Sequence, residues 1–561
     1  MEYRRDRLKW TGWGWAERSF DLHGSEQALW SFLKEGLGIG ALHPMPSADI
    51  DTLPLKPSAL STSLRAALET ALAPERVRTD RFERVFHAVG RSYWDLLRLR
   101  AGELEHAPDA VVYPTSTAEL LALMTLAVAE GLSLIPFGGG SSIVGGVEAI
   151  RGSGHVATIT VDMSEMNALL SVDPTSMTAT AQAGIYGPAL EAALAAQGLT
   201  LGHYPQSFEF STLGGWIATR GAGQQSYRYG NVVDFFAGAV VVTPRGLLTA
   251  QAVPHSAAGP DLRSLIAGSE GTLGIISEAT VRLQAAPAAR DYRGFLFPDF
   301  QGGAEAIRLL VQEGVEVAML RLSDAAETYF LGQLSSLGRS ESWLQRTTRG
   351  ALGLVGGRRP CLLLVGLEGS AAAVSASRVS VARVAMGCGG LPAGTGPGRG
   401  WYGSRFEMPY LRDALLDHGI GVGTIETATS WSNLGPLYRA LRERLDGTLR
   451  EVTDRGEGAP IIMAHISHAY PDGASLYFTF VFPIARQGAR AQWRIIQRSA
   501  VEAVLAGGGT LSHHHGVGRI HRSWMAAEKG DLGVSMLRAV RNSLDPDGIM
   551  NPGKLLPLES D

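Results

Sequence analysis

Apolar residues change their spacing as the chain proceeds, and the changes divide it into regions. Residues 1–108 mix Trp, Leu and charged residues at helical intervals, as in Ser58–Ala73 (SALSTSLRAALETALA), which predicts a helical N-terminal region. The texture then shifts. Ala110–Pro114 (AVVYP) is a short β-branched run, Thr115–Gly131 (TSTAELLALMTLAVAEG) is a helix opened by Ser/Thr caps, and Leu132–Phe137 (LSLIPF) is a second buried strand. Together they predict a βαβ unit. A second alternation is expected from His155–Met163 (HVATITVDM) and Met177–Gly184 (MTATAQAG) as strands, followed by a helix over Gly187–Gly198 that Gly198 closes. The pattern breaks at Ala285–Gly294 (AAPAARDYRG), and a longer α+β region follows. The expected layout is an N-terminal helical region 1–108, a cofactor-binding domain 109–286, a substrate-binding cap 287–500, and a C-terminal helical segment 501–561 with a His-rich loop.

Composition narrows the classes. The 561 residues exceed what one hydrophobic core supports, and 45% hydrophobic with 19% charged residues describes a globular protein. A net charge of −4 without a basic stripe argues against a nucleic-acid partner. Two distant cysteines, Cys361 and Cys388, cannot form a disulfide framework or a thiolate metal site, which favours a reducing cytoplasm. The N-terminus lacks the apolar run of a signal peptide, and no stretch of about 18 apolar residues could span a bilayer.

The first motif with chemistry in it is Pro136–Ser142 (PFGGGSS), directly after a predicted strand. Consecutive glycines let backbone N–H groups converge on one anion where a side chain would block approach, so a pyrophosphate is the expected guest; an ordinary flexible turn is the alternative. The third glycine of the Rossmann fingerprint is absent, with Ile143 in its place. Gly548–Leu555 (GIMNPGKL) mimics Walker spacing, but Leu555 occupies the metal-binding Ser/Thr position, so it is a chance match.

Further strings follow in order: Phe210–Gly223 (FSTLGGWIATRGAG), Tyr229–Asp234 (YGNVVD) and Gly268–Leu283 (GSEGTLGIISEATVRL). With Pro108–Leu120 and Pro136–Ser142, at these spacings, they resemble the PCMH-type FAD-binding (vanillyl-alcohol oxidase) superfamily. The resemblance implies a two-subdomain α+β FAD-binding fold with a separate α+β cap. It also implies FAD contacts from Pro136, Gly138, Gly139, Gly140, Ser141 and Ser142; from Gln206, Ser207, Ser211 and Thr212; from Thr219, Arg220, Gly221 and Ala222; and from Glu270, Gly271, Thr272, Leu273, Gly274 and Ile276. Relatives that tether FAD covalently do so through His or Cys in or near the first loop. Neither is present here, so noncovalent FAD is expected.

Leu8–Trp15 (LKWTGWGW), Leu320–Asp324 (LRLSD), the strings around Arg412 and Tyr477, and Ser512–Gly518 (SHHHGVG) narrow the resemblance to the alkyldihydroxyacetonephosphate synthase family. Three consecutive histidines can relay protons near neutral pH, ligate a metal or simply fill a polar turn; no second metal-ligand motif accompanies them, so no metal is expected. In an extended segment His513 and His515 would face one side and His514 the other. Arg412, on a predicted helix at Tyr410–Gly419, could be a solvated face residue beside Asp413; Tyr477, on a strand of alternating aromatics at Leu476–Phe482, could be a core residue. The resemblance instead implies a phosphate anchor in Arg412, an acid/base in Tyr477, catalytic roles for His513, His514 and His515, and a part in the site for Arg321. Trp401, where a compared relative has Tyr, and Asn551–Lys554 (NPGK), common among oxidase relatives, depart from the family pattern.

The activity so implied is a transferase: acyl-dihydroxyacetone phosphate exchanges its fatty acid for a long-chain alcohol, giving an ether-lipid precursor without net redox change, with the flavin as electrophilic sink. A homodimer with peripheral membrane association is expected. The chain ends in LESD rather than a peroxisomal signal, which suggests a bacterial homologue. The alternative is an FAD-linked oxidase or dehydrogenase of a D-2-hydroxy acid or alcohol, since fold alone does not fix function.

Overall fold

The computed structural model describes residues 5–22, 24–337, 359–453 and 459–558. The predicted βαβ unit forms. Ser116 accepts the Glu119 N–H and caps helix Thr117–Glu130, which Gly131 ends in a left-handed conformation (φ 65°). Strands Ala110–Val112 and Leu132–Phe137 both run parallel to Ala157–Asp162, which lies between them and is buried along its whole length. Buriedness on both faces is what a parallel central strand requires.

The second expected alternation is corrected by the fold. Ala157–Asp162 belongs to this first sheet, whereas Thr178–Gln182 enters a separate five-stranded antiparallel sheet with Leu169–Asp173, Ile275–Arg282, Phe236–Thr243 and Gly246–Ala250. The burial of Thr178–Gln182 alternates residue by residue, the mark of an antiparallel strand with one covered face. Helix Gly187–Ala195 packs its Leu190 and Leu194 into the core of that sheet.

A seven-stranded antiparallel sheet forms the cap, in the order Leu391–Gly394, Ala289–Phe297, Cys361–Gly369, Met319–Ser323, Ile461–Ile466, Gly473–Pro483, Ile420–Ser430. Helices Phe300–Gln312, Ala371–Gly387, Trp431–Val452 and Ala489–Ala506 cover one face, against Leu320, Leu322, Ile425, Ala464, Ile466, Leu476, Phe478 and Phe480. Because side chains alternate along a strand, Arg321, Glu426, His465 and Tyr477 project from the opposite face.

The expected boundaries are interrupted at both ends. Residues Val77–Arg78 form an edge strand of the first sheet, and helix Tyr93–Arg100 buries Tyr93, Leu96 and Leu97 in the cap core, so 1–108 is woven into both lobes. Helix Ala489–Ala506 runs through the 500/501 boundary. The C-terminal segment returns to the first sheet, where Met550 bridges Leu134 and packs into its core. Among the described residues no helix is long and apolar enough to cross a membrane.

Candidate active site

The glycine loop sits against Phe210–Thr212. A Cβ on Gly138 would lie 2.4 Å from Thr212 Oγ1, and one on Gly139 would lie 1.8 Å from the Phe210 carbonyl oxygen. Gly140 has φ +68° and backs onto the Phe137 ring. Only glycine permits this approach. The N–H groups of Gly139, Gly140, Ser141 and Ser142 have no acceptor among the described residues, whereas the Ser142 hydroxyl accepts from Gly146 N–H at 2.9 Å. A row of unspent N–H donors in a side-chain-free cradle fits a flavin dinucleotide pyrophosphate.

Gly271 brings the third string alongside, with its Cβ direction 2.9 Å from Pro136 Cγ. Among the other residues that the resemblance implies for FAD, several polar groups already have protein partners. Thr212 caps helix Leu213–Thr219, Ser211 Oγ bonds Ser207 and accepts from Trp216 Nε1, Thr219 bonds Gly215 O, and Thr272 bonds Ser269 O. Arg220 is exposed in a left-handed C-cap followed by buried Gly221 and Ala222; Gln206 is exposed and bonds Arg405 O. Leu273, Gly274 and Ile276 are buried, with Ile276 in the antiparallel-sheet core.

The histidine run is not extended. Buried Glu426 accepts from Ser512 Oγ (2.8 Å) and from three consecutive backbone N–H groups, His513 (2.8 Å), His514 (3.1 Å) and His515 (3.0 Å). Successive N–H groups converging on one carboxylate form an anion nest, which corrects the expected alternation of the three rings. Two more carboxylates fix the segment's ends. Glu528 takes Thr510 Oγ1 and Leu511 N–H, both at 2.9 Å, and Glu270 takes Val517 and Gly518 N–H at 2.6 and 2.7 Å. Glu270 thus couples the Gly268–Leu283 string to the histidine loop, and burial pushes its carboxyl up to about 7.

Tyr477 lies opposite Glu426 on one side and His465 on the other. Its ring stacks on His465 (4.9 Å between centroids) and lies 6.0 Å from His514 and 5.5 Å from His515. Burial raises its phenol above the ordinary range, while the Thr424 bond, Arg412 and Arg321 draw it back. Burial alone would raise Glu426, but the positive charge its three neighbouring imidazoles gain when protonated, with the His514 N–H, holds its carboxyl well below the usual range; where those rings are neutral, the backbone donors are its partners. Burial pushes His513 and His514 down to about 4 and lowers His515. These imidazoles are neutral at pH 7. His514 and His515 are each 15% exposed, so they face a cleft rather than a closed core.

Arg321 donates to Glu327 (2.9 Å) and bonds His465 Nδ1 (3.1 Å); Glu327 is held at about 2, burial being outweighed by Arg321 and His465. Arg412 donates through Nη1 to Arg91 O, while its Nε and Nη2 are buried without an acceptor. It is therefore no solvated face residue. The Trp-rich string braces this corner: Trp13 N–H bonds Asp413, and Trp13 and Trp15 pack edge-on to Phe210 beneath the glycine loop. Asn551 and Lys554 of the NPGK string are buried staples, Asn551 to Gly146 O and Glu270 O, Lys554 to Glu148 O. Glu426, Glu327, His465, His468 and Tyr470 escaped the sequence reading; only the paired histidines of His465–His468 offered a signal.

Comparison with known proteins agrees with this geometry. Residues 108–250 match the FAD binding domain family and residues 286–555 the C-terminal domain of FAD linked oxidases, which makes FAD the cofactor. The chain is 35% identical to the alkyldihydroxyacetonephosphate synthase of Dictyostelium discoideum, over 98% of this chain and 94% of that protein. It is 31% identical to that of Trypanosoma brucei brucei, over 98% and 93%. A solved alkyldihydroxyacetonephosphate synthase structure superposes with a TM-score of 0.82 at 32% identity, over 98% of this chain and 97% of that one. A PCMH-type α+β fold, an FAD-binding domain and full-length likeness above 30% place the chain in the alkyldihydroxyacetonephosphate synthase family.

Proposed function

We propose that the chain is an alkyldihydroxyacetonephosphate synthase that exchanges the fatty acid of acyl-dihydroxyacetone phosphate for a long-chain alcohol. The C–O bond to the carboxylate breaks, the alcohol oxygen takes its place, and the alcohol proton leaves, so fatty acid and ether product form in equal amounts with no net redox change. FAD, bound noncovalently by Pro136–Ser142 with the strings at 206–212, 219–222 and 270–276, supplies an electrophilic ring for the reacting carbon. The observation that carries the reading is the buried Arg412 guanidinium with two unspent donor atoms, in electrostatic contact with Tyr477. Such a fork suits a phosphate. Tyr477 and the neutral imidazoles of His513–His515 then hold or accept the proton, Arg321 keeps His465 stacked behind Tyr477, and Glu426 positions the loop.

Lipid substrates favour work at a membrane surface. Leu532 and Met536, 88% and 60% exposed and one turn apart on helix Met525–Leu544, give such a surface an apolar foothold. A homodimer is carried over from the family resemblance.

The test is anaerobic incubation of holoprotein with acyl-dihydroxyacetone phosphate and hexadecanol. Equimolar fatty acid and alkyl product without any electron acceptor are expected. Dye reduction by a D-2-hydroxy acid, with no acyl exchange, would replace this reading by a dehydrogenase. Denaturation should release all FAD from the polypeptide.

Two variants follow from the geometry. Arg412→Lys should retain FAD and raise the KM for acyl-dihydroxyacetone phosphate at least tenfold, since each lost charge-assisted bond costs about 1.5 to 3 kcal/mol; an unchanged KM removes Arg412 from the phosphate site. Glu426→Gln replaces one of the two accepting oxygens with an amide nitrogen, which donates and cannot accept an N–H. Turnover should fall by about tenfold with flavin content unchanged, because the loop loses part of its anchor. Wild-type turnover would show that the nest does not position the histidines.

A further inference from the structure

The histidine run lacks a second metal-ligand motif nearby in sequence, but the fold supplies a further imidazole. His468, just beyond strand Ile461–Ile466, lies 5.0 Å from His513 and 5.2 Å from His514 between ring centroids. One ring nitrogen from each of the three falls within 4.8 Å of the other two. His468 is 6% exposed and its Nδ1 has no hydrogen-bond partner among the described residues. His513 and His514 meet Nδ1 to Nδ1 at 2.9 Å, and the Tyr470 hydroxyl bonds His513 Nε2 at 2.7 Å. Tetrahedral zinc with bonds of about 2.0–2.1 Å sets its ligand nitrogens roughly 3.3 Å apart, within reach of small ring rotations.

We propose that His468, His513 and His514 form a binding site for a borderline divalent transition metal, Zn2+ being the type case, and that its occupancy inhibits the enzyme. An all-imidazole set suits Zn2+, Ni2+ or Cu2+ and is poor for Mg2+ or Ca2+, which take oxygen ligands. Glu426, fastened to the backbone of the run, and Tyr470, bonded to His513, orient the ligands from behind. Three protein ligands leave a fourth position open toward the cleft. The metal site stands on geometry alone; the inhibition rests on the catalytic reading of His513 and His514.

The test uses FAD-loaded, chelator-treated full-length protein and Zn2+ or Co2+ chloride alone. Equilibrium dialysis should find one Zn2+ per chain, and Co2+ should give the visible absorption of a tetrahedral site. His468→Gln, checked for folding by its flavin absorbance, should bind at least tenfold to a hundredfold more weakly, the scale on which disrupted ligand shells lose metal. His513→Gln should behave alike, while His255→Gln, at an exposed position, should bind as wild type. Turnover should fall in step with occupancy and return on adding EDTA. No stoichiometric Zn2+, or binding undiminished in both His468→Gln and His513→Gln, overturns the site and leaves the synthase reading intact. Binding that requires His468 yet leaves turnover unchanged overturns the inhibition, and with it the catalytic role given to His513 and His514.

Discussion

Tyr477→Phe should lower turnover by about a hundredfold or more while leaving flavin content and melting temperature close to wild type, the scale expected when a general acid/base is lost. The change deletes one oxygen and keeps the ring, so stacking on His465 and the contacts with His514 and His515 survive. A purely structural hydroxyl would cost about 0.5 to 1.5 kcal/mol of stability and little activity. Tyr477 turns away from the core that holds Leu476 and Phe478 and toward His514 and His515, the position the acid/base reading requires. Turnover above half of wild type in Tyr477→Phe, with His513, His514 and His515 each replaceable by Ala at similar cost, would remove the synthase-like centre and leave only the FAD fold.

Gly139→Ala should yield folded protein with almost no flavin. The added methyl would stand 1.8 Å from the Phe210 carbonyl oxygen and 3.0 Å from Ser211 Cα, both backbone, so neither can swing aside like a side-chain tip. The loop must instead lift from Phe210–Thr212, and its N–H groups then no longer converge. Flavin absorbance per polypeptide after gel filtration measures the outcome, and Gly447→Ala, in a helix with open space around its Cβ direction, is the control that keeps FAD. Alanine should stabilise that helix by up to about 1 kcal/mol. Stoichiometric flavin in Gly139→Ala would show that the loop does not carry the pyrophosphate.

Local chemistry made the elements around the glycine loop readable from their residues, and the family resemblance added the flavin. Capped helix Thr117–Glu130, the buried runs around it and the unbroken glycines at 138–140 each need only near neighbours to specify them, so their order along the chain already offered a phosphate loop beside the plainer reading of a turn. Sheet membership was another matter, since Ala157–Asp162 and Thr178–Gln182 read alike as short strands and differ only in what covers their faces.

The catalytic half was legible as a roster of residues but not as an arrangement. Arg321, Arg412, Tyr477 and the histidines could be singled out through the strings they sit in, yet whether Arg412 is solvated or buried depends on elements hundreds of positions apart, Arg91 and the Trp-rich N-terminus among them. Glu426 carries no sequence signature, because a single carboxylate in a polar strand is unremarkable until antiparallel pairing sets it beside Tyr477 and a returning loop lays four donors on it. Period and composition, which are properties of neighbouring residues, therefore determined the elements and the glycine loop, while the candidate list followed from the family resemblance of the strings that hold it. Long-range pairing alone decided the curl of the histidine run, the carboxylates that hold it and the approach of His468, since no local pattern encodes which distant groups will meet across a sheet.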